Sequence, residues 1–463
     1  MKHLSLRIRV FLFFCLAALG SLVILGAALW MGFRQLGDPD ALSAFISTGV
    51  IAGLGITGLI AFIWLLFDDN VSKPVETIAS SLRVRAHVDV STPIDVSAAR
   101  YLGDLAPAAS ALGAVLANVT RSRSEKTDHL LAELTAQRDQ LVEILSDIPI
   151  ATILISADHR IVLYDGQAAA MMERVGAARL KASIFDYLDK TSILTALDQM
   201  NDAKVSYLEI AVTTHSGDMY SGHIRTFDTG YTLMLEPLEP SAARPLTYDF
   251  DLLTPARAAA LRDIPLRDLV YVVFDSETTG LDPAVDEVVQ LGAVRVVNGK
   301  IVKGEVFDTL VDPGIPIPKR STDVHGIDNS SVAGAPAFAD VCTKFHAFSE
   351  GAVFVAHNAA FDMAFLHKEA LKTGRKLDQP VLDTVLMSAA IFGGSATHTL
   401  DAICERLEIC IPPEQRHTAM GDAVATAKAL VAMIPILEGR GIRSFGALQA
   451  EADKHRRIIQ GGT

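Results

Sequence analysis

The sequence predicts a chain with two membrane-spanning helices at its start and an α/β domain at its end. Two apolar runs, residues 10–33 and 41–67, each exceed the ~20 residues that a helix needs to cross the hydrocarbon core of a bilayer. After residue 269, short apolar runs typical of buried strands alternate with stretches of helical composition. This alternation is the pattern of an α/β domain.

Length and charge restrict the classes of protein that fit. The chain has 463 residues, room for about three domains, and a formal net charge of −13. An acidic total argues against a protein that coats nucleic acid, although bound metal ions can supply local positive charge to an enzyme that handles a strand end. The four cysteines form no CxxC pair, so we expect buried or free thiols at Cys15, Cys342, Cys404 and Cys410.

Basic residues flank the two apolar runs and predict their orientation. Lys2 and Arg7 precede the first run, and Lys73 and Arg83 follow the second. The positive-inside rule then places both termini in the cytoplasm, with residues 1–70 forming a two-pass hairpin in the inner membrane. The alternative for the first run is a cleaved signal peptide, in which case the second run still anchors the chain.

Residues 71–145 are predicted to be a helical juxtamembrane linker. The segment around Pro74 resembles the start of a HAMP linker, and a plain juxtamembrane helix is the alternative. Within residues 126–145, leucines recur at heptad-like spacing, which indicates either a dimerising signalling helix or an ordinary amphipathic helix. A homodimer is the partner state that the first interpretation implies.

Residues 146–240 predict an α+β domain. Two apolar strands surround a polar turn, a helical segment follows at 167–174, and residues 205–214 and 221–235 have the composition of strands. The pattern from Ile144 to Ala168 resembles a PAS domain of membrane sensor kinases, with Asp165 where many such domains have asparagine. Its lone histidines are typical of surface positions, so no organic cofactor is expected. Residues 241–265 have the composition of a linker.

The first acidic motif follows an apolar run typical of a buried central strand. Residues 270–274 read VYVVF, and residues 275–280 continue with DSETTG. Strand alternation puts Asp275 and Glu277 on the same face, where two close carboxylates repel each other unless cations lie between them. Carboxylates at a strand end are suited to Mg²⁺ or Mn²⁺. Gly280 permits the turn that follows.

Two further motifs supply more acidic residues. The apolar strand 352–356 leads into HNAAFD, which places Asp362 near the start of a helix with Asn358 beside it. Residues 416–423 read RHTAMGDA and open another helix, with His417 five positions before Asp422. A loop before this helix would allow His417 to reach the substrate while Asp422 binds metal.

Together these motifs resemble the DnaQ-like family of 3′→5′ exonucleases in its histidine-containing DEDDh form. The resemblance covers about residues 269–437 and implies a ribonuclease-H-like fold, a mixed sheet flanked by helices, for a domain spanning 266–440 that is followed by a tail, 441–463. It implies that two Mg²⁺ or Mn²⁺ ions are bound by Asp275, Glu277, Asp362 and Asp422, with His417 deprotonating the attacking water. It also implies that the nucleic-acid 3′ end is contacted by Thr278, Thr279, Leu281, Asn358 and Phe361.

The leading functional hypothesis is a membrane-anchored 3′→5′ exonuclease acting on nucleic-acid phosphodiesters, with DNA favoured over RNA. One alternative is a proofreading epsilon-like subunit associated with DNA polymerase III. Another is a sensor or binding protein that uses the fold to grip 3′ ends, which the complete acidic set argues against. Three further histidines lie in segments that match the family, and local hydrogen bonding is the expected role of His325, His357 and His398.

Overall fold

The computed structural model describes residues 6–36, 41–87, 108, 150–238, 246–253, 260–374, 377–394 and 396–456. The chain separates into two compact units, Met1–Arg123 and Ser124–Thr463. The predicted heptad helix of residues 126–145 lies outside the described residues, as does most of the linker that precedes it.

Helices make up most of the described part of the first unit. They are α1 (Leu6–Leu36) and α2 (Leu42–Phe67), which continues through a π-helical turn, Asp68–Ser72, into α3 (Lys73–His87). By length and composition, Arg7–Gln35 and Leu42–Ala79 could each cross a membrane. A Cβ added to Gly49 or Gly53 would come within 3.2 Å of a leucine of α1, so these small residues lie where the two helices meet.

The second unit begins with an α+β domain built on a six-stranded antiparallel sheet in the order β3-β4-β5-β1-β2-β6. Its strands are β1 (Ala151–Ser156), β2 (Ile161–Tyr164), β3 (Tyr207–Thr213), β4 (Met219–Phe227), β5 (Gly230–Leu235) and β6 (Thr247–Tyr248). Its helices are α4 (Gly166–Glu173) and α5 (Lys190–Ala203), with 3-10 turns at Ile184–Asp186 and Phe250–Leu253. The predicted α+β architecture is confirmed, whereas the resemblance to PAS domains stays a prediction.

The C-terminal domain is built on a mixed five-stranded sheet in the order β11-β10-β7-β8-β9. Its strands are β7 (Val270–Thr278), β8 (Val288–Val297), β9 (Lys300–Leu310), β10 (Val353–Ala356) and β11 (Val381–Asp383). Its helices are α6 (Lys319–His325), α7 (Phe338–Phe348), α8 (Ala359–Thr373), α9 (Thr384–Phe392), α10 (Leu400–Arg406), α11 (Ala419–Gly439) and α12 (Phe445–Asp453). Short 3-10 turns lie at Leu261–Asp263, Leu266–Asp268 and Pro413–Gln415.

Strand β7 lies at the centre of this sheet, and this central position accounts for the apolar sequence of the strand. It pairs antiparallel with β8 on one side and parallel with β10 on the other. Tyr271 to Phe274 are fully buried because helices cover both faces, and α11 packs against β7 and β8. Helix α11 is also apolar enough to cross a membrane, but 67% of its apolar window is buried within the domain. Its composition therefore follows from its place in the core.

Three sequence predictions about element boundaries were wrong. The run 221–235 is two strands, β4 and β5, because residues 228–229 form a turn between them. The predicted linker contains β6, which pairs with β2, and Leu252 of the following turn is buried. The predicted tail contains α12, whose Phe445 and Leu448 are buried against the domain, so the fold extends beyond residue 440.

The α+β domain and the C-terminal domain share a buried polar contact. Arg295 of β8 and Glu305 of β9 form an ion pair of 2.8 Å with both side chains almost fully buried. From the α+β domain, the hydroxyl of Tyr164 donates to Glu305 at 2.9 Å and the amide of Leu180 donates to it at 2.6 Å. Val270 and Val297 of the C-terminal domain pack with the α+β core as well. The two domains therefore share an interior.

Candidate active site

The first two acidic residues lie at the carboxyl end of β7. Asp275 and Glu277 alternate with the buried Ser276, so they share one face of the sheet, as predicted. In the neighbouring strand, Gly292 lies opposite Asp275. A Cβ added to Gly292 would collide with the backbone of Ala419 at the start of α11. This glycine therefore lets α11 approach the sheet directly beside the two carboxylates.

The start of α11 brings in Asp422. Thr418 caps the helix by accepting a hydrogen bond from the amide of Gly421, and the amide of Ala419 donates to Oε1 of Gln290 on β8. His417 lies in the preceding turn with a left-handed φ of 57° and is exposed to solvent. The structure thus confirms that His417 precedes the helix while Asp422 lies in its first turn.

The carboxylates of Asp275, Glu277 and Asp422 form one cluster, with ligand oxygens all within 4.8 Å of one another. Asp362 is buried in the first turn of α8, and its Oδ1 accepts from the amide of Ser276 at 3.0 Å and from its hydroxyl at 2.6 Å. One oxygen of Asp362 is therefore held by the strand that carries Asp275.

Burial and mutual repulsion raise the pKa values of these carboxyl groups. Burial raises the pKa of Asp275 well above its usual range, and the neighbouring carboxylates add to the effect. Burial raises the pKa of Glu277 to about 7, with Asp422 and Asp362 contributing. Burial also raises the pKa of Asp362 to about 7, against the hydrogen bonds from Ser276. The ionised cluster is under electrostatic strain that a bound cation relieves.

The donor set fits a hard divalent cation. The cluster offers only carboxylate oxygens, which are the ligands that Mg²⁺ and Mn²⁺ prefer over nitrogen or sulfur. Carboxylates with raised pKa values are the groups whose ionised forms gain most from a nearby positive ion. Asp275, Glu277 and Asp422 are therefore suited to hold such an ion, with Asp362 beside them.

The predicted substrate-contacting residues at the end of β7 and just after it differ in their exposure to solvent. The hydroxyl of Thr278 donates to the carbonyl of Gly280 at 2.6 Å, and that of Thr279 donates to Asp286 at 3.0 Å. Both side chains are buried, so they shape the loop, whereas Leu281 is 83% exposed. Gly280 is needed for close approach, because an added Cβ would meet the carboxylate of Asp286.

The other two predicted substrate residues lie at the start of α8. Asn358 has a left-handed φ of 59°, and its side chain makes no capping bond to the helix. Phe361 is half-buried and packs edge-on against Phe365, with ring centroids 5.2 Å apart. The side chain of Asn358 is therefore the freer of the two to meet a ligand.

Sequence reasoning missed Asp383, which organises this region. Its carboxylate accepts from the amides of Asn358 and Ala359, at 3.2 and 2.9 Å, and from that of Val385. It therefore holds the turn before α8 and caps α9 at the same time. An aspartate between a strand and a helix was the available sequence signal.

The remaining histidines make local hydrogen bonds, as expected. His325 accepts from the amide of Ile327, His357 pairs with the hydroxyl of Thr384 at 3.0 Å, and His398 pairs with that of Ser388. Burial, together with the charges of Arg416 and His398, lowers the pKa of His357 to about 4. A histidine held neutral in this way is suited to structural bonding.

Arg416 was also missed. Its guanidinium bonds Asp422 at 2.5 Å and Asp401 of α10 at 2.7 Å. Its positive charge opposes the rise in pKa of both Asp275 and Glu277. Asp401 lies 15 positions before Arg416 in the chain, so no local pattern could reveal this contact.

Comparisons with known proteins agree with this geometry. A family model described as Exonuclease matches residues 272–430, which include the whole acidic set. The C-terminal domain is therefore an exonuclease-family hydrolase domain that acts on nucleic acids, with a ribonuclease-H-like α/β fold.

Relatives extend the likeness to the whole chain. A DNA polymerase III subunit epsilon-like protein from Rhodobacter capsulatus is 32% identical over a 698-residue alignment that covers 99% of each chain. The chain belongs to this family of epsilon-like proteins. A DNA polymerase III PolC-type protein from Caldanaerobacter subterraneus is 40% identical over 180 residues, which are 39% of this chain and 13% of that protein. A solved structure of exonuclease X with 5′-overhanging duplex DNA aligns with 40% of this chain and 99% of its own, at 24% identity and a TM-score of 0.32.

Proposed function

We propose that this chain is a membrane-anchored, divalent-metal-dependent 3′→5′ exonuclease with DNA as its favoured substrate. The observation that carries the proposal is the cluster of Asp275, Glu277 and Asp422, with oxygens within 4.8 Å. His417 lies in the turn that leads to Asp422 and is exposed to solvent. A carboxylate cluster suited to divalent ions, with an exposed imidazole on the turn that leads to one of its members, supports metal-assisted phosphodiester hydrolysis.

In this mechanism the carboxylates of Asp275, Glu277, Asp362 and Asp422 would hold two Mg²⁺ or Mn²⁺ ions. Bound there, the ions would supply positive charge that stabilises the developing negative charge of the reaction. His417 takes the proton of the attacking water, since an imidazole exchanges protons near neutral pH. Leu281 lies four residues after Glu277, and Asn358 lies four residues before Asp362; both contact the terminal nucleotide. The hydrogen bonds of Thr278 and Thr279 fix the loop that carries Leu281.

The location proposed for the enzyme is the inner membrane, with both termini and the catalytic domain in the cytoplasm. Support comes from α1 and α2, each long and apolar enough to span a bilayer. The basic residues that flank them give the orientation. Reaction of single cysteines placed at residues 39 and 456 with a membrane-impermeant reagent, in intact cells and in lysates, tests it. Labelling of the residue-456 cysteine in intact cells contradicts the proposed topology.

The activity test uses the full chain in detergent with single-stranded DNA and matching RNA, each labelled at the 5′ end. We expect a ladder that shortens from the 3′ end, requires Mg²⁺ or Mn²⁺, and disappears in the His417→Ala variant. His367→Ala is the matched control, because His367 lies on α8 outside the acidic cluster. Release of the labelled mononucleotide as the first product would show the opposite direction, and a wild-type chain without activity would contradict the proposal.

A second candidate is a proofreading subunit associated with DNA polymerase III, which the family of epsilon-like proteins favours. Co-purification of the detergent-solubilised chain with a polymerase catalytic subunit from its own cells distinguishes the two. A stable complex supports the second candidate, and activity without any such complex supports the first.

We further propose that the chain is a homodimer and that its α+β domain is a PAS-like sensor. The heptad spacing in residues 126–145 motivates the dimer, and the antiparallel sheet flanked by α4 and α5 supports the sensor domain. Mass measurement of the detergent-solubilised chain tests the dimer. A monomer at micromolar concentration would contradict it.

A further inference from the structure

The guanidinium of Arg416 joins three elements around the acidic cluster. Nη1 bonds Oδ1 of Asp422 on α11 at 2.5 Å, and Nη2 bonds Oδ1 of Asp401 on α10 at 2.7 Å. Arg416 itself lies in the turn before α11. The side chain of Asp422 is 12% exposed and that of Asp401 is 70% exposed. The guanidinium of Arg416 therefore connects the edge of the acidic cluster to a carboxylate at the protein surface.

The contact with Asp422 leaves one carboxylate oxygen for a metal ion. Oδ1 accepts from Arg416, and Oδ2 has no hydrogen-bond or ion-pair partner among the described residues. A carboxylate held at one oxygen by a fixed donor has fewer orientations to lose when its second oxygen binds a cation. A planar guanidinium that is also tied to Asp401 is such a fixed donor.

The same contact holds the turn that carries His417. Arg416 is adjacent to His417, whose backbone is left-handed with a φ of 57°. On the other side of the turn, the hydroxyl of Thr418 donates to the carbonyl of Gln415 at 2.8 Å. A left-handed non-glycine residue persists only where neighbouring contacts maintain it. Arg416 and Thr418 supply those contacts from the two sides.

We infer that Arg416 is a positioning residue for the proposed nuclease reaction. It orients Asp422 for the divalent ion and fixes the turn of His417, with Asp401 as its anchor. The inference rests on the proposed function for its role in catalysis, but its effect on metal binding is independent of activity. The alternative is that Arg416 occupies the place of the metal in the metal-free protein and leaves when the ion binds.

Metal affinity separates these two roles. We would titrate Mn²⁺ into the full chain in detergent by calorimetry, for the wild type and for Arg416→Gln, Arg416→Lys and Asp401→Asn. A positioning role predicts that Arg416→Gln weakens Mn²⁺ binding about 10–100-fold, as is typical when a partner of a metal ligand is removed. Arg416→Lys should fall between this variant and the wild type, since an ammonium keeps the charge without the fork. Asp401→Asn should weaken binding less than Arg416→Gln.

The matched control is Arg406→Gln, which makes the same chemical change on α10. Arg406 bonds the carbonyl of Thr397 and lies over Phe392, so it should leave Mn²⁺ affinity unchanged. Tighter Mn²⁺ binding by Arg416→Gln would show that the arginine is displaced by the metal and would overturn the inference. Unchanged Mn²⁺ binding, with only a lower melting temperature, would also overturn it. Absence of nuclease activity in a wild type that binds Mn²⁺ would count against the proposed function alone.

Discussion

The buried carboxylate of Glu305 and the partly buried carboxylates of Asp275 and Glu277 lie in the same sheet but have opposite surroundings. Glu305 of β9 forms an ion pair with Arg295 and accepts hydrogen bonds from the hydroxyl of Tyr164 and the amide of Leu180. Burial raises the pKa of Glu305, but each of these partners favours its ionised form and offsets part of the rise. Asp275 and Glu277 at the end of β7 face other carboxylates instead, and those neighbours push their pKa values further up.

The difference shows how a structural carboxylate is told apart from a functional one. A buried charge whose bonds are completed within the protein holds elements together, here the two domains of the second unit. Carboxylates that repel each other cost stability, and a bound divalent cation would relieve that repulsion. Neutralising Glu305 should therefore lower stability, whereas neutralising Asp275 or Glu277 in the metal-free protein should raise it.

The largest effect is expected from Asp275→Asn. Loss of one metal ligand should remove several kcal/mol of transition-state stabilisation and lower the rate of cleavage roughly 10³-fold. In the absence of metal the same change should raise the melting temperature, because it removes one charge from a repelling cluster. Cleavage of labelled DNA and thermal unfolding with a chelator present measure the two effects. A lower melting temperature in the chelator would contradict the contrast between the groups.

A smaller effect of opposite sign is expected from Glu305→Gln, which keeps the shape of the side chain. Arg295 is left buried without its counter-ion, and breaking a buried ion pair from one side destabilises by about 3–5 kcal/mol. Thermal unfolding of the full chain in detergent measures the loss. Cleavage at a temperature where the variant is folded should stay near the wild-type rate, and an inactive folded variant would show that Glu305 serves the active site.

Tyr164→Phe should cost less, since only one hydrogen bond to Glu305 is removed. A buried hydrogen bond to a charged group contributes about 1.5–3 kcal/mol. Because Tyr164 belongs to the α+β domain and Glu305 to the exonuclease domain, the two domains should lose stability together. Limited proteolysis during heating reports on each domain separately. Destabilisation confined to the α+β domain would show that the shared contact does not couple them.

A fourth expected effect is the dependence of metal-free stability on pH. Glu277 and Asp362 have pKa values of about 7 in the folded protein, above those of the unfolded chain, so the folded state binds more protons between these values. The free energy of unfolding in a chelator should therefore fall as pH rises from 5 to 8. Each kcal/mol of unfolding free energy that is lost should lower the melting temperature by about 2–4 °C. Asp275→Asn should flatten this slope. A melting temperature that rises over this range would contradict the raised pKa values.

The sequence predicted those parts of the site that depend on local pattern. Asp275 and Glu277 follow a strand whose apolar run is visible in the chain, and alternation alone places them on one face. His417 and Asp422 lie where the start of a helix was expected. Sequence reasoning placed the acidic motifs in three segments, and the fold brings Asp275, Glu277 and Asp422 together.

The parts that were missed depend on contacts between distant residues. Arg416 forms an ion pair with Asp401, which lies on helix α10. Glu305 accepts a hydrogen bond from Tyr164, which lies 141 positions away in the chain. The alternation of short strands does not reveal which strand lies beside which, so β6 was assigned to a linker. Arg295 in the apolar run of β8 was the one local sign of a buried ion pair, since a buried charge needs a partner.

The most direct test of this account is a calorimetric titration of Mn²⁺ into the full chain in detergent, beside Asp275→Asn and Glu305→Gln. The account predicts that the wild type and Glu305→Gln bind two ions per chain and that Asp275→Asn loses binding. A wild type that takes up no ion, or an Asp275→Asn variant that binds as the wild type does, would contradict the claim that the repelling carboxylates form a metal site.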